Sequence, residues 1–306
     1  PIDRATLACL GELAAEQGLV EKFARLAAGD VMNTGERRMV LHHLARGQLG
    51  PEAVLGPAGA DGVRKDLRAF YEGERLKAAR FAESVHAGRT VGSTGKRFAT
   101  AVQIGIGGSD LGPRALYLAL ERWARSAGRL KLEARFISNV DPDGANAVLR
   151  PLDLASTLFI LVSKSGTTQE TLANEVLVRE RLEAAGLDPS RHTVAVTSET
   201  SPLARNPGYL ESFYIDDFIG GRYSASSAVG GVVLSLAFGP ETFAEFLEGA
   251  HEADRLARDP DISHNAALFD AMVGLYERDV LGMPCAAVLP YSEALSRFPA
   301  HLQQLD

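Results

Sequence analysis

Cysteine, tryptophan and methionine are scarce in this 306-residue chain, at two, one and four residues, and aromatic residues contribute only 7%. Cys9 and Cys285 stand near opposite ends and form no CxxC pair. That excludes a disulfide framework and a thiolate zinc site, and it suits a reducing compartment. No apolar run approaches the ~18 residues that a bilayer span needs. The acidic, Ala-rich N-terminus also lacks the charged-then-apolar order of a secretory leader. We therefore expect a cytoplasmic protein with no membrane partner and no bound metal. Positive charge is in short supply too: 32 Lys plus Arg face 39 Asp plus Glu, a formal net charge of -7. Such a surface has no global attraction for nucleic acid, so an anionic ligand has to be held by a local site.

What is present is core material. Hydrophobic residues make up 46% of the chain and charged residues 23%, a balance that excludes disorder and supports one large or two medium domains. The chain opens on Pro1 rather than Met and stops at Asp306, directly after an uncapped helical pattern over Ser296 to Gln304. We expect a portion of a longer polypeptide.

From Ile2 to about Gly88 apolar residues recur at three- and four-residue spacing, as in Leu7, Leu10, Leu13 and Ala14, which predicts a helical N-terminal layer. At Phe98 the rhythm changes to short apolar runs, each closed by Gly, Ser or Asn and followed by a helical stretch. The runs are Ala101 to Ile106, Arg135 to Ser138, Thr157 to Ser163, His192 to Thr197 and Ser212 to Ile215. Continuous apolar runs mark strands buried on both faces, hence a parallel sheet between helices, and the period of ~25 to 35 residues matches successive βαβ units. Helices are predicted over Ser226 to Phe238, Pro240 to Arg258 and Ser263 to Val280, and a last strand over Pro284 to Pro290. The fold class expected is α/β, a three-layer parallel sheet flanked by helices. Its parts are a helical layer over 1–95, a first α/β domain over 96–240, connecting helices over 241–282 and the start of a second α/β domain over 283–306.

In open parallel sheets ligands bind at the carboxyl ends of strands. Three such segments draw notice. Gly105-Ile106-Gly107-Gly108-Ser109-Asp110-Leu111-Gly112 brings backbone N–H groups to a helix N-terminus, where an anion is favoured. It fits neither a dinucleotide fingerprint, which would need glycine at Asp110, nor a P-loop, which would need Gly-Lys-Ser/Thr; a plain packing turn is the alternative. Ser163-Lys164-Ser165-Gly166-Thr167-Thr168 offers hydroxyls and one ammonium ahead of a helix, a donor set suited to phosphate, against the alternative of an N-cap with solvated hydroxyls. In Asp216-Asp217-Phe218-Ile219-Gly220-Gly221-Arg222 the paired glycines put Arg222 on a sharp turn. There it could stabilise a developing oxyanion or form a salt bridge with Asp216 or Asp217. The seven histidines, His42, His43, His86, His192, His251, His264 and His301, read as packing or surface residues.

Taken in this order, the three segments resemble the phosphoglucose isomerase family. Asp217 to Gly230 is similar to one of its signatures, and Gly105 to Pro113 and Ser163 to Thr171 are similar to its sugar-phosphate loops. Ser138-Asn139-Val140-Asp141, Leu289-Pro290-Tyr291, Arg297-Phe298 and Gln303-Gln304 match further family stretches, so the resemblance runs from about Gly29 to Asp306. It implies two SIS-type α/β domains and interconversion of glucose 6-phosphate and fructose 6-phosphate, without a cofactor, by a homodimer. Carried over by position, Gly108 and Ser109 would contact the sugar, and Ser163, Lys164, Ser165, Gly166, Thr167 and Thr168 would form the phosphate loop. Arg222 would stabilise the enediolate and Gln304 would line the substrate. Ser165 and Gly166 stand where many members carry Thr and a bulky aromatic, which bears on the stiffness of the loop. The family's catalytic Glu is expected just after Asp306, with its His and Lys further on. A phosphosugar sensor without catalysis is the alternative, although it would have no need of the Gly220-Gly221-Arg222 turn. A nicotinamide-dependent dehydrogenase is disfavoured by the glycine spacing.

Overall fold

The computed structural model describes residues 2–58 and 62–306; Pro1 and residues 59–61, part of the expected helical layer, lie outside the described residues. In chain order the helices and strands are α1 (Arg4–Glu16), α2 (Leu19–Ala27), β1 (Leu55–Ala58), β2 (Arg64–Asp66), α3 (Leu67–His86), β3 (Thr100–Ile104), α4 (Leu111–Ser126), β4 (Glu133–Ile137), α5 (Pro142–Leu149), β5 (Thr157–Val162), α6 (Gln169–Ala184), β6 (Thr193–Thr197), β7 (Ser212–Tyr214), α7 (Ala228–Phe238), α8 (Pro240–Leu256), α9 (Ala266–Asp279) and α10 (Phe298–Leu305). Two compact units form: Pro1–Arg68 with Phe246–Leu289, and Ala69–Glu245 with Pro290–Asp306.

The second unit is built on a five-stranded sheet in the order β4-β3-β5-β6-β7. Every neighbouring pair is parallel, with Gln103 level with Phe136 of β4 and Ile160 of β5. All six residues of β5, Thr-Leu-Phe-Ile-Leu-Val, are buried, as are all five of β6. Both strands therefore read as unbroken apolar runs. One face of the sheet packs Val102, Ile104, Phe159 and Leu161 against Ala145 and Leu149 of α5 and Val178 and Leu182 of α6. Truncating a side chain such as Phe159, 0% exposed, would cost about 3–5 kcal/mol. On α7 all eleven residues, Ala-Val-Gly-Gly-Val-Val-Leu-Ser-Leu-Ala-Phe, are buried. Ser227 starts that helix by accepting from the Val229 N–H, as an N-cap should. Tyr117 of α4 stacks on Phe238 at 5.4 Å, and its hydroxyl accepts from the Ala134 N–H. Because the strands are parallel, the loops after β3, β5 and β7 all emerge at one edge.

In the first unit α1 and α9 share a core of Leu10, Ala14, Ile262, Leu268 and Met272. Asp3 caps α1 through the Thr6 N–H, and Asn265 caps α9 through the Leu268 N–H. The expected helical layer is interrupted by an antiparallel pair, Leu55 with Asp66 and Ala58 with Arg64. Leu55-Gly56-Pro57-Ala58 and Arg64-Lys65-Asp66 have no alternating or β-branched pattern, so the backbone ladder alone makes these strands. The strand expected over Pro284 to Pro290 does not form among the described residues, and these residues are largely exposed. An apolar run becomes a strand only beside a partner, and nothing pairs with it here. The closing helix starts at Phe298 rather than Ser296, with Pro299 in its first turn, where a missing N–H costs nothing.

Candidate functional site

Glycine chemistry sets the geometry of the site. Gly107 adopts φ +59°, and a Cβ there would come 3.2 Å from the Gln304 Nε2. Gly108 lies against the backbone of the other turn: a Cβ on it would meet the Gly221 carbonyl carbon and oxygen at 2.2 Å and the Arg222 nitrogen at 2.7 Å. The turn after β3 and the turn after β7 are thus in direct contact through main chain. Ser224 latches them, its hydroxyl donating to the Gly221 carbonyl at 2.7 Å and lying 3.4 Å from the Gly108 carbonyl. Gly112 lets α4 approach α10, since a Cβ there would stand 3.1 Å from the His301 Cε1. Burial lowers the pKa of that imidazole.

The hydroxyl-rich loop leaves β5 and enters α6. Its Ser163 is buried: the hydroxyl donates to Thr168 Oγ1 at 3.1 Å and accepts from the Gly166 N–H at 3.1 Å. Gly166 takes φ +68° with Ser201 and Leu203 crowding the place of a Cβ. A side chain at this position would be strained in this loop conformation, and Ser201 and Leu203 would have to shift to admit it. Ser165 and Thr167 are exposed, and the Ser165 hydroxyl accepts from both the Thr167 N–H and the Thr167 hydroxyl. Thr168 occupies the N-cap of α6, yet its side chain makes no capping bond. The cap alternative thus accounts for little of this loop, and donors at the positive end of α6 remain available for an anion.

Lys164 ties the two loops together. Its ammonium donates to the Ile219 carbonyl at 3.3 Å and faces Asp217 at 3.6 Å. The Asp217 side chain is 65% exposed, so this pair is weak and open to exchange with an anion. Asp216 accepts from the Tyr71 hydroxyl at 2.5 Å and from the Phe218 N–H at 2.9 Å. These partners, rather than Arg222, hold the two carboxylates weighed as salt-bridge partners, and Arg222 is exposed on its turn. Burial and the charge on Asp216 push the Tyr71 hydroxyl well above its ordinary pKa, so it remains a donor at neutral pH.

Of the residues singled out in the sequence, Gly108, Ser109, Arg222 and Gln304 come together at one edge of the sheet. Ser163, Lys164, Ser165, Gly166, Thr167 and Thr168 join them through Lys164. Sequence patterns gave no sign of several supporting residues. Tyr71 arrives from α3. The Asp110 and Arg114 pair, 2.7 Å apart, opens α4, with burial raising the Asp110 carboxyl against the pull of Arg114 and Arg297. Gln103 lies beneath the first turn and donates to the Ser109 carbonyl at 2.7 Å. The only available signal for the pair was its i, i+4 spacing at a helix start. No cluster of His, Cys, Asp and Glu suited to a metal occurs among the described residues.

A model of the phosphoglucose isomerase family matches residues 1–306. The glucose-6-phosphate isomerase of Treponema denticola is 58% identical over 306 residues, which is 100% of this chain and 56% of that protein. That of Desulfotalea psychrophila is 44% identical over 310 residues, again 56% of its own length. The crystal structure of a glucose-6-phosphate isomerase from Chlamydia trachomatis aligns with a TM-score of 0.86 at 41% identity, over 99% of this chain and 56% of that one. The chain therefore spans about half the length of the relatives it matches.

Proposed function

Because this chain belongs to the phosphoglucose isomerase family, we propose that the full-length protein interconverts glucose 6-phosphate and fructose 6-phosphate. The observation that carries this reading is the main-chain contact of Gly108 with Gly221 and Arg222. It gives the glycine turn after β3 and an exposed guanidinium one shared position, next to a hydroxyl-rich helix start. In this reading Ser163, Lys164, Ser165, Gly166, Thr167 and Thr168 hold the phosphate, with Lys164 exchanging Asp217 for it. Gly108 and Ser109 face the sugar, and Gln304 lines it. Moving hydrogen from C2 to C1 is redox-neutral within the substrate, so the chemistry calls for no cofactor. A carboxylate takes the C2 proton and returns it to C1, and Arg222 stabilises the cis-enediolate oxygen between the two steps without itself giving up a proton.

That carboxylate is a Glu placed just after Asp306, followed by the His and Lys that assist ring opening, the His reaching across a homodimer. Residues 283–306 then open a second α/β domain, whose sheet gives Pro284 to Pro290 its neighbours. The setting is the cytoplasm. The test compares two polypeptides. Residues 1–306 alone bind sugar phosphate weakly and do not turn it over, whereas the full-length protein does both. Full isomerase activity in the 306-residue chain would overturn the placement of the base, and an inactive full-length protein would overturn the reaction itself.

A further inference from the structure

We propose that Gln103 is a positioning residue, a buried side-chain amide that bonds the Ser109 carbonyl just ahead of α4 and so holds the sugar-facing turn against Arg222. The inference rests on the sugar-phosphate reading of the site.

Gln103 is 1% exposed, in the middle of the central strand β3, where the neighbouring strands present Phe136 and Ile160. Strand alternation puts it on the opposite face from Val102 and Ile104, which belong to the apolar core. Its Nε2 donates to the Ser109 carbonyl at 2.7 Å. Its Oε1 is buried and has no hydrogen-bond partner among the described residues. A flipped amide would set that oxygen against the Ser109 carbonyl, acceptor against acceptor, so the donor assignment is fixed. Leu or Met would fill the same space without burying an unpaired acceptor. The one thing the amide adds is the bond to Ser109.

That bond answers a specific need. At the start of α4 the Arg114 N–H reaches the Asp110 carbonyl in the usual i to i−4 pattern. That is the first bond of the helix, because Asp110 is its N-cap and Ser109 lies one residue outside it. The helix therefore offers the Ser109 carbonyl no donor, and Gln103 supplies one from the sheet below. Ser109 also donates its N–H to the Ile106 carbonyl at 3.2 Å, and a Cβ on Gly105 would come 2.7 Å from the Ser109 Cβ. The turn is fixed from both sides, and the contact of Gly108 with Gly221 and Arg222 follows from that placement.

The test uses the full-length protein and two probes, fructose 6-phosphate and inorganic phosphate. Gln103→Met keeps the volume and removes the donor. Its KM for fructose 6-phosphate should rise about tenfold, while its affinity for inorganic phosphate, read by competition, stays within twofold, because the 163–168 loop is held by other bonds. A melting curve checks that it folds. Gln103→Glu carries the test if the Met variant does not fold. Its protonated carboxyl can still donate to Ser109 and its ionised form cannot. Its KM relative to the unchanged protein should therefore rise with pH, the ratio cancelling the titration of substrate and of Asp110 and His301 beside the turn. A Met variant with unchanged KM, an equal loss of phosphate affinity, or a pH-independent ratio for the Glu variant overturns the role. An unchanged protein that binds phosphate but not the sugar phosphate overturns the underlying reading instead.

Discussion

Gly108→Ala tests the geometry of the site most directly. The new Cβ would lie 2.2 Å from the Gly221 carbonyl carbon and oxygen, whereas ordinary van der Waals contact begins near 3.4 Å. The atoms on both sides are main chain, so no flexible side chain can swing away, and the two turns must part by about 1.2 Å, the difference of those distances. Overpacking of this kind costs about 1–3 kcal/mol, and a displacement near 1 Å at a reacting centre costs about 10²-fold in rate. The matched control is Gly73→Ala. Gly73 lies inside α3 with nothing within 4 Å of its Cβ position, so the helix should gain about 0.8–1.0 kcal/mol. Urea denaturation of the 306-residue chain gives the stability of both variants, and kcat/KM for fructose 6-phosphate in the full-length protein gives the functional cost. The expected result is a destabilised, about 10²-fold slower Gly108→Ala beside a slightly stabilised, fully active Gly73→Ala. A Gly108→Ala protein with kcat/KM close to that of the unchanged protein would refute the claim that this contact aligns the site.

Arg222→Ala in the full-length protein should lower kcat by about 10²- to 10³-fold while phosphate affinity changes little, since its charge meets charge that develops only in the transition state; an unaltered kcat contradicts that role. Asp254→Ala should destabilise the chain by about 1–3 kcal/mol, because it removes a largely buried carboxylate that Arg46 bonds at 2.7 Å, with side-chain exposures of 20% for Arg46 and 10% for Asp254. Calorimetry showing no loss would mean that solvent replaces the pair. Burial, aided by the charge on Arg46, lowers His42 to about 3 and His43 to about 4, from 6.5. Both rings stay neutral in the folded chain while unfolded rings gain protons below pH 6.5. Stability should accordingly fall as pH drops from 6.5 toward 4, by about 1.4 kcal/mol per pH unit for each ring. Equal denaturation midpoints at about pH 7 and about pH 5 would refute it.

The middle of the sheet was legible because β5 and β6 are buried on both faces: Thr157 to Val162 and Thr193 to Thr197 carry no exposed position that could interrupt the run. The hairpin of Leu55–Ala58 with Arg64–Asp66 was not legible for the converse reason. Gly, Pro and charged residues fill it, and its only signal is a pairing between segments that looks like nothing in either one. Pro284 to Pro290 errs in the other direction. Its composition suits a strand, but a strand is a relation between two segments, and composition reports only one of them.

The same distinction runs through the site. Glycines announced the three turns, since a positive φ or a close backbone approach leaves few alternatives, as at Gly107 and Gly166. They could not announce what approaches. Gly108 meets Gly221 and Arg222, and Lys164 meets Ile219 and Asp217, across more than fifty residues of sequence. Arg222 shows the consequence most clearly. Beside two aspartates in the sequence, it reads as the third member of an ion cluster, and on charge alone that is the better reading. The fold gives Asp216 to Tyr71 and Asp217 to Lys164, and so removes the neighbours that would have neutralised the guanidinium. An exposed cation at a strand-end turn of a chain carrying a net charge of -7 is then a local attraction for an anion where the molecule as a whole offers none.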